Sequence, residues 1–453
     1  MVRVGASIAI VGMGYVGLTT AVCFASRGFE VTGVEIDKAK LTKLRRGVST
    51  IGEAGVPQLL RKGTQSGRLR FVGSLKEAGH PGFLFVTVNT PSRPDGSIDL
   101  SYVLAAAKDV GTHLRRAEGY PVVVPKSTTV PGTTEKVVRP LLEAESKKKL
   151  GEFGLAYNPE FLREGKAVED TLSPDKVVVG GADAKSSSAL VALFRAYYGR
   201  AMPPVVETTP ANAEMIKYAS NAFLSMKVSY INQVARLCSA VPGCDVEVVA
   251  GAIGLDKRIG RRFLDAGLGF GGSCFTKDLR ALRSLARELT VPMPLVDGTL
   301  EVNEDQALAA LSAIEGVLGE LGGKRIAVLG LAFKPDTDDV RDAVSLRLIS
   351  LLRTNGAAVV AYDPVAGANA KEADPGLRLA PDAGKCVDGA DCAVVVTEWD
   401  EFRRLKPSFF RARMRRPFVF DGRRVYDPAA FRKGGVELRA VGLGPSPGGD
   451  GAP

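Results

Sequence analysis

Short, nearly continuous apolar runs recur through the N-terminal part of the chain. Ser7-Ile8-Ala9-Ile10-Val11 opens the series, and residues 29–34, 83–88, 121–124, 154–157 and 176–180 continue it. Runs of this length without strict alternation suit strands buried on both faces, as in a parallel sheet. The apolar residues from Leu18 to Ala25 fit a packed helix after the first strand. The pattern predicts an α/β domain over residues 1–205. From Ala211 the period changes: Met215, Ile216, Ala219, Ala222, Phe223 and Met226 fall at helical spacing. Helical sequence resumes over 245–253 and 278–289, which predicts a helical domain over 206–300. Lys324-Arg325-Ile326-Ala327-Val328-Leu329-Gly330 then echoes the first strand and its glycine. With further strand-like runs at 358–362, 393–396 and 418–420, it predicts a second α/β domain over 318–443. Residues 444–453, rich in Pro and Gly, have a disordered composition.

The first strand runs directly into Gly12-Met13-Gly14-Tyr15-Val16-Gly17, and the second ends at Glu35. A glycine turn, a following helix and an acid about 20 residues on form the Rossmann fingerprint for a dinucleotide. The glycines let backbone approach the pyrophosphate, and the acid meets the ribose hydroxyls. An acid rather than an arginine at that place favours NAD over NADP. The second α/β domain lacks the fingerprint and carries Phe333-Lys334-Pro335-Asp336-Thr337 instead, so it should bind a nucleotide differently or not at all.

Ligands collect at the carboxyl ends of strands in open parallel sheets. Those ends here carry Thr90, Thr128, Glu160 and Glu164, although Ser and Thr at such places also simply cap helices. Lys217 and Asn221 are four apart on the predicted long helix and project together. The stretch Gly267-Leu268-Gly269-Phe270-Gly271-Gly272-Ser273-Cys274-Phe275-Thr276-Lys277-Asp278 places a thiol at the start of a helix. Amide dipoles there favour thiolate, and Asp278 shares the face of Cys274. A buried cysteine after a flexible turn is the plainer reading of the loop taken alone.

Composition excludes more than it suggests. The 453 residues are 45% hydrophobic and 24% charged, without an apolar run long enough to span a bilayer or a leader-like start. Six scattered cysteines suit a reducing cytoplasm, and with two histidines and no Cys-x-x-Cys pair no metal site is expected. The net charge of +10 suits an anionic ligand. The basic cluster between Arg403 and Arg416 lacks a nucleic-acid-binding motif and reads as a solvated face.

The combination of Gly12-x-Gly14-x-x-Gly17, Lys126-Ser127-Thr128, Asn158-Pro159-Glu160-Phe161-Leu162-Arg163-Glu164-Gly165, Lys217-x-x-x-Asn221, Gly271-Gly272-Ser273-Cys274 and Gly330-x-Ala332-Phe333-Lys334 resembles the UDP-glucose/GDP-mannose dehydrogenase family over roughly residues 7–430. Asp256-Lys257-Arg258-Ile259-Gly260, Phe263-Leu264 and Gly269-Phe270-Gly271-Gly272 look most like its UDP-glucose branch; GDP-mannose enzymes share the Gly-Gly-Ser-Cys core. The resemblance implies two Rossmann-like domains joined by a long central helix and a small helical domain. It also implies a soluble homodimer or higher oligomer, with no nucleic-acid or membrane partner. The implied reaction is oxidation of a UDP-sugar alcohol to a carboxylate by two NAD⁺, with Cys274 as nucleophile through a thiohemiacetal and a thioester. Lys217 and Asn221 are implied as oxyanion donors, Asp278 and Thr128 as holders of a water, and Glu160 and Glu164 as acid–base groups. How proton transfer divides among Lys217, Asp278 and the two glutamates stays open. NAD contacts are implied for Gly12, Gly14, Tyr15, Val16, Gly17, Glu35, Thr90, Thr128, Glu164 and Lys277. The sugar nucleotide is implied to meet Glu160, Phe161, Leu162, Lys217, Asn221, Phe263, Phe270, Gly271, Lys334 and Arg423, with Arg258 reaching in across a dimer interface. The glycines of the loop are expected to let backbone lie against the sugar. The alternatives are a GDP-mannose or other nucleotide-sugar dehydrogenase, a single-step dehydrogenase of the 6-phosphogluconate or hydroxyacyl type, and a non-catalytic sugar-nucleotide sensor.

Overall fold

The computed structural model describes residues 6–446. The N-terminal residues, where no leader is expected, and residues 447–453 of the tail lie outside the described residues. The chain divides into two compact units, residues 1–220 and 221–453.

In the first unit β1 (Ser7–Val11), β2 (Glu30–Val34), β3 (Leu69–Val72), β4 (Phe83–Val86), β5 (Val122–Pro125), β6 (Gly154–Tyr157), β7 (Val177–Gly181) and β8 (Val205–Thr208) form one sheet, in the order β3-β2-β1-β4-β5-β6-β7-β8. Only the β6–β7 pairing is antiparallel among the described strands. Alternate residues of the apolar runs go to opposite faces. Ile8, Ile10 and Phe85 join one core, and Ala9, Leu84 and Val86 join the other. Helices therefore cover both faces, which is why the runs do not alternate with polar residues. Each such large side chain, fully buried, contributes roughly 1.5–3 kcal/mol. The sequence pattern does not announce β3 and β8, because both lie at sheet edges. Arg70 of β3 is exposed, and Glu207 of β8 faces outward. β4 stops at Val86, short of the expected residue 88, as the Thr87 hydroxyl turns to donate to the Val11 and Gly12 carbonyls at 3.0 and 2.8 Å.

The long helix Pro210–Ala240 begins in the first unit and ends in the second. The second unit continues with helices Val246–Gly254, Phe275–Glu288 and Pro294–Leu318. The last of these runs well past residue 300, because Ala307, Ala310, Leu311, Ile314 and Leu318 prolong its buried stripe. Strands β9 (Arg325–Leu329), β10 (Ala358–Tyr362), β11 (Cys392–Val395), β12 (Phe418–Asp421) and β13 (Glu437–Ala440) form an all-parallel sheet in the order β10-β9-β11-β12-β13.

The echo between β1 and β9 extends to backbone geometry. Gly12 and Gly330 follow their strands with φ of 95° and 102°, where only glycine is unstrained. Gly12 N–H donates to the Val34 carbonyl at 3.0 Å, and Gly330 N–H to that of Tyr362 at 2.8 Å. The acids that follow β2 and β10 then behave differently. Glu35 accepts from its near neighbour Asp37 N–H at 2.9 Å. Asp363 instead accepts from the Leu331, Ala332, Val365 and Ala366 amides at 2.7–3.0 Å and from the Trp399 indole at 3.0 Å. Its carboxylate thus takes the amides of the turn after β9, the counterpart of the turn that meets pyrophosphate in a dinucleotide fold. The second sheet carries its own anion there, a physical reason for the missing fingerprint.

Candidate active site

The order of the first sheet reverses between β1 and β4, and the crevice at such a switch point is where dinucleotides bind. The glycine turn lies there. A Cβ on Gly17 would stand 1.9 Å from the Gly12 carbonyl oxygen, so glycine is what lets the helix Tyr15–Ser26 start so close to β1. Gly14 sits at the N-cap of that helix, and no side chain caps its amides. Those amides are suited to an anion. Glu35 is buried at the end of β2. Thr90 and Thr128 follow the ends of β4 and β5, both half-buried. Tyr15 points elsewhere: its hydroxyl donates to Glu53, whose carboxylate also accepts from Gly165 and Ala167 N–H at 2.7 and 2.8 Å. Burial, then the bond to Glu53, pushes the Tyr15 phenol well above its ordinary value. Tyr15 thereby ties the fingerprint helix to the loop that carries half-buried Glu164.

That loop leaves β6 through Asn158 and Glu160. Lys217 on the long helix places Nζ 2.8 Å from Glu160 Oε1, with the two side chains 4% and 10% exposed. Glu160 Oε2 accepts from Leu162 N–H at 2.7 Å. Burial alone would raise the Glu160 carboxyl, yet Lys217 and the Leu162 amide together hold it below its usual range. Lys217 and Lys176 also lie 5.5 and 4.5 Å from the centroid of the Phe161 ring.

In the second unit Cys274 takes the N-cap position of the helix Phe275–Glu288. Among the six cysteines it is the exposed one. Burial raises the Cys23 and Cys386 thiols to about 12, so those two are inert core residues. Ser273 Oγ lies 3.7 Å from Cys274 Sγ. One turn on, Asp278 is 2% exposed and doubly held, by Asn221 Nδ2 at 2.6 Å and Lys277 Nζ at 2.7 Å. Asn221 and Asp278, four residues from Lys217 and Cys274 respectively, are thus brought into contact.

The glycine loop before Cys274 is pinned rather than flexible. Gly267 N–H donates to Asn232 and its carbonyl accepts from Gln306. Phe270 exchanges two bonds with the Asn303 amide, at 2.7 and 3.0 Å. A Cβ on Gly269, Gly271 or Gly272 would stand 2.5 Å from Asn303 Oδ1, 2.6 Å from the Asp342 carbonyl oxygen or 2.8 Å from the Phe333 ring. The chain's own packing therefore demands these glycines, whether or not a sugar also lies against their backbone. Arg423 donates to the Gly269 carbonyl at 3.1 Å and to that of Val396 at 2.6 Å. Phe263 holds φ at 65°, a costly value for an aromatic residue, and its ring lies 6.3 Å from Phe275, which meets Phe270 at 5.7 Å. Lys334 lies over the Phe333 ring. Arg258 joins none of these groups within the chain; 88% exposed, it pairs with Asp256 at 2.6 Å.

Several supporting residues escape the motif reading. Glu53 is marked by no periodicity. Asn232, Asn303 and Gln306 are polar interruptions of buried helix stripes, a signal that is visible in the sequence. Glu214, three residues before Lys217, gathers Gly132 N, Thr134 N, Thr134 Oγ1 and Thr129 Oγ1 at 2.6–3.3 Å, and so fixes the segment after Thr128.

A doubly covered, mostly parallel sheet, the complete glycine fingerprint and a buried acid just after β2 are the marks of a dinucleotide-binding domain of the Rossmann type. Sequence models of the UDP-glucose/GDP-mannose dehydrogenase family match in three consecutive pieces: its NAD binding domain over residues 6–198, its central domain over 211–305 and its UDP binding domain over 327–428. The chain belongs to that family, and its cofactor is NAD. It is 41% identical over 440 residues to a UDP-glucose 6-dehydrogenase of Rhizobium meliloti, covering 96% of this chain and 99% of the relative. It is 44% identical to the UDP-glucose 6-dehydrogenase AglM of Haloferax volcanii, covering 92% and 96%. The solved structure of a UDP-glucose dehydrogenase from Pyrobaculum islandicum matches with a TM-score of 0.88 at 38% identity, covering 97% of this chain and 98% of that one.

Proposed function

We propose that the chain oxidises UDP-glucose to UDP-glucuronate through a thiohemiacetal and a thioester on Cys274. The observation that carries the reading is the exposed thiol at a helix N-cap, one turn ahead of a buried aspartate held by Asn221 and Lys277. Relatives of 41% and 44% identity bearing the name UDP-glucose 6-dehydrogenase support the choice of substrate. Bound NAD⁺ supplies the hydride acceptor twice, so that one alcohol, two NAD⁺ and one water give one carboxylate, two NADH and three protons.

The chain's residues do the rest. Gly12, Gly14, Val16 and Gly17 offer backbone to the dinucleotide. Tyr15 braces the turn through Glu53, Glu35 takes the ribose, and Thr90, Glu164 and Lys277 serve as further NAD contacts. Asp278 and Thr128 hold the water that takes the alcohol proton. Cys274 thiolate adds to the aldehyde carbon, forming the C–S bond, while Lys217 and Asn221 donate to the oxygen that gains charge. Water later attacks the thioester carbonyl, the C–S bond breaks, and the thiol leaves; Glu160 and Glu164 serve proton transfer there. Phe161, Leu162, Phe263, Phe270, Gly271, Lys334 and Arg423 bind the sugar nucleotide. Arg258, exposed in the single chain, completes that site in a second copy, which makes the enzyme a homodimer or larger assembly. Six free thiols accord with a cytoplasmic enzyme. Steady-state assays with UDP-glucose and GDP-mannose test the substrate: kcat/KM at least tenfold higher for UDP-glucose is expected, and a preference for GDP-mannose overturns it.

A further inference from the structure

Lys126 has no part in the chemistry above, yet it stands beside the pair at its centre. It is the residue directly after β5, and its backbone N–H is fixed on the Val86 carbonyl at 2.8 Å. Its Nζ donates to Asn158 Oδ1 at 2.8 Å. The Asn158 amide is oriented by Nδ2 donating to the Val178 carbonyl at 2.8 Å, and its backbone N–H by the Pro125 carbonyl at 3.0 Å. Asn158 is buried, and the hydrogen-bond partner of Lys126 is therefore a neutral one that cannot turn away. Two residues on, Glu160 holds Lys217 at 2.8 Å. Two lysines thus share the field of one buried carboxylate.

We propose that Lys126 is a positioning residue whose ammonium, held on Asn158, supports Glu160 as a carboxylate and makes Lys217 easier to deprotonate. The inference rests on the role given to Lys217 in the proposed function. A free lysine holds its proton up to about pH 10, too tightly to exchange it during turnover near neutrality. A like charge nearby is one of the few ways to loosen it. The effect is mutual: burial brings Lys126 down to about 8, with Glu160 pushing it up and Lys217 pushing it down. The other charged or titratable groups around the pair are Lys176 across the Phe161 ring, Tyr157 with its hydroxyl on the Ser127 carbonyl, Glu164, and Glu214 three residues before Lys217.

The test compares Lys126→Gln and Lys126→Arg with the wild type in the full-length enzyme. First, the pH profile of kcat with UDP-glucose is recorded, and the limb that vanishes in Lys217→Arg is taken as that of Lys217. Removing the positive charge should move this limb to higher pH by about one unit, while Lys126→Arg, which stays charged throughout the profile, should leave it in place or move it to lower pH. Second, the pH midpoint for acetylation of Lys217 by acetic anhydride, read by mass spectrometry without turnover, should rise by the same amount. A limb and a midpoint that stay put in Lys126→Gln, or that move equally in Lys126→Arg, overturn the proposal. If the glutamine variant does not fold, Lys126→Met makes the same neutral comparison. A wild type that forms no NADH from UDP-glucose refutes the proposed function, and the acetylation midpoint still decides the role of Lys126.

Discussion

Replacing Glu160 by glutamine removes one charge from a pair whose side chains are 4% and 10% exposed, 2.8 Å apart. At that separation an effective dielectric constant of about 20 gives a Coulomb attraction of roughly 6 kcal/mol, most of it offset by desolvation of the two ions. Removing one partner of a buried pair costs roughly 3–5 kcal/mol, because the other charge is left uncompensated. Glutamine keeps an acceptor for Lys217, and Lys217 can shed its proton, so the expected loss is about 2–3 kcal/mol. For a unit of this size the thermal midpoint should fall by roughly 5–10 °C. Differential scanning calorimetry measures the shift, and hydrogen exchange over residues 158–165 and 210–220 locates it. The sign of the pH dependence follows from the Glu160 carboxyl being held below its usual range. Its stabilisation is present above about pH 4.5 and is lost as pH falls through the lower folded value. The wild-type and variant midpoints should therefore converge in acid. Equal midpoints at pH 7 in a folded variant, or a gap that widens in acid, would refute the reasoning.

Two further substitutions probe the halves separately. Gly17→Ala places a Cβ where the Gly12 carbonyl stands, so NADH affinity in a fluorescence titration should fall at least tenfold; unchanged affinity contradicts the account of the turn. Asp363→Asn turns an amide donor toward backbone N–H groups that Asp363 now satisfies, and should destabilise the second unit by about 2–4 kcal/mol while NADH binds as before. A variant as stable as the wild type would show that the Asp363 carboxylate is not what fills that turn.

Most strands and the long helix were legible because burial on two faces, or on one stripe, leaves a periodic trace in sequence. β3, β8 and β13 were not, since an edge strand with Arg70, Glu207 or Glu437 outward needs no apolar run. The groups proposed to react were legible through their company: glycines before a cysteine, and a lysine four before an asparagine. Their supports were not. Glu53 meets Tyr15, Gly165 and Ala167 across long sequence separations, and a lone glutamate in a loop carries no sign of such partners. Lys126 was visible only as a letter in a motif, because its significance lies in the neutral partner Asn158 and the charged neighbours Glu160 and Lys217. The glycines of 269–272 stand out in sequence, but their fit against Asn303, Asp342 and Phe333 is set by residues distant in the chain and leaves no local trace.

The central claim is that Cys274 turns a two-electron oxidation into a four-electron one. Counting NADH formed per UDP-glucose consumed, in the wild type and in Cys274→Ser, tests it most directly. The account predicts two NADH and UDP-glucuronate from the wild type, and no two-step turnover from the serine variant. Two NADH per UDP-glucose at an undiminished rate from Cys274→Ser would contradict it.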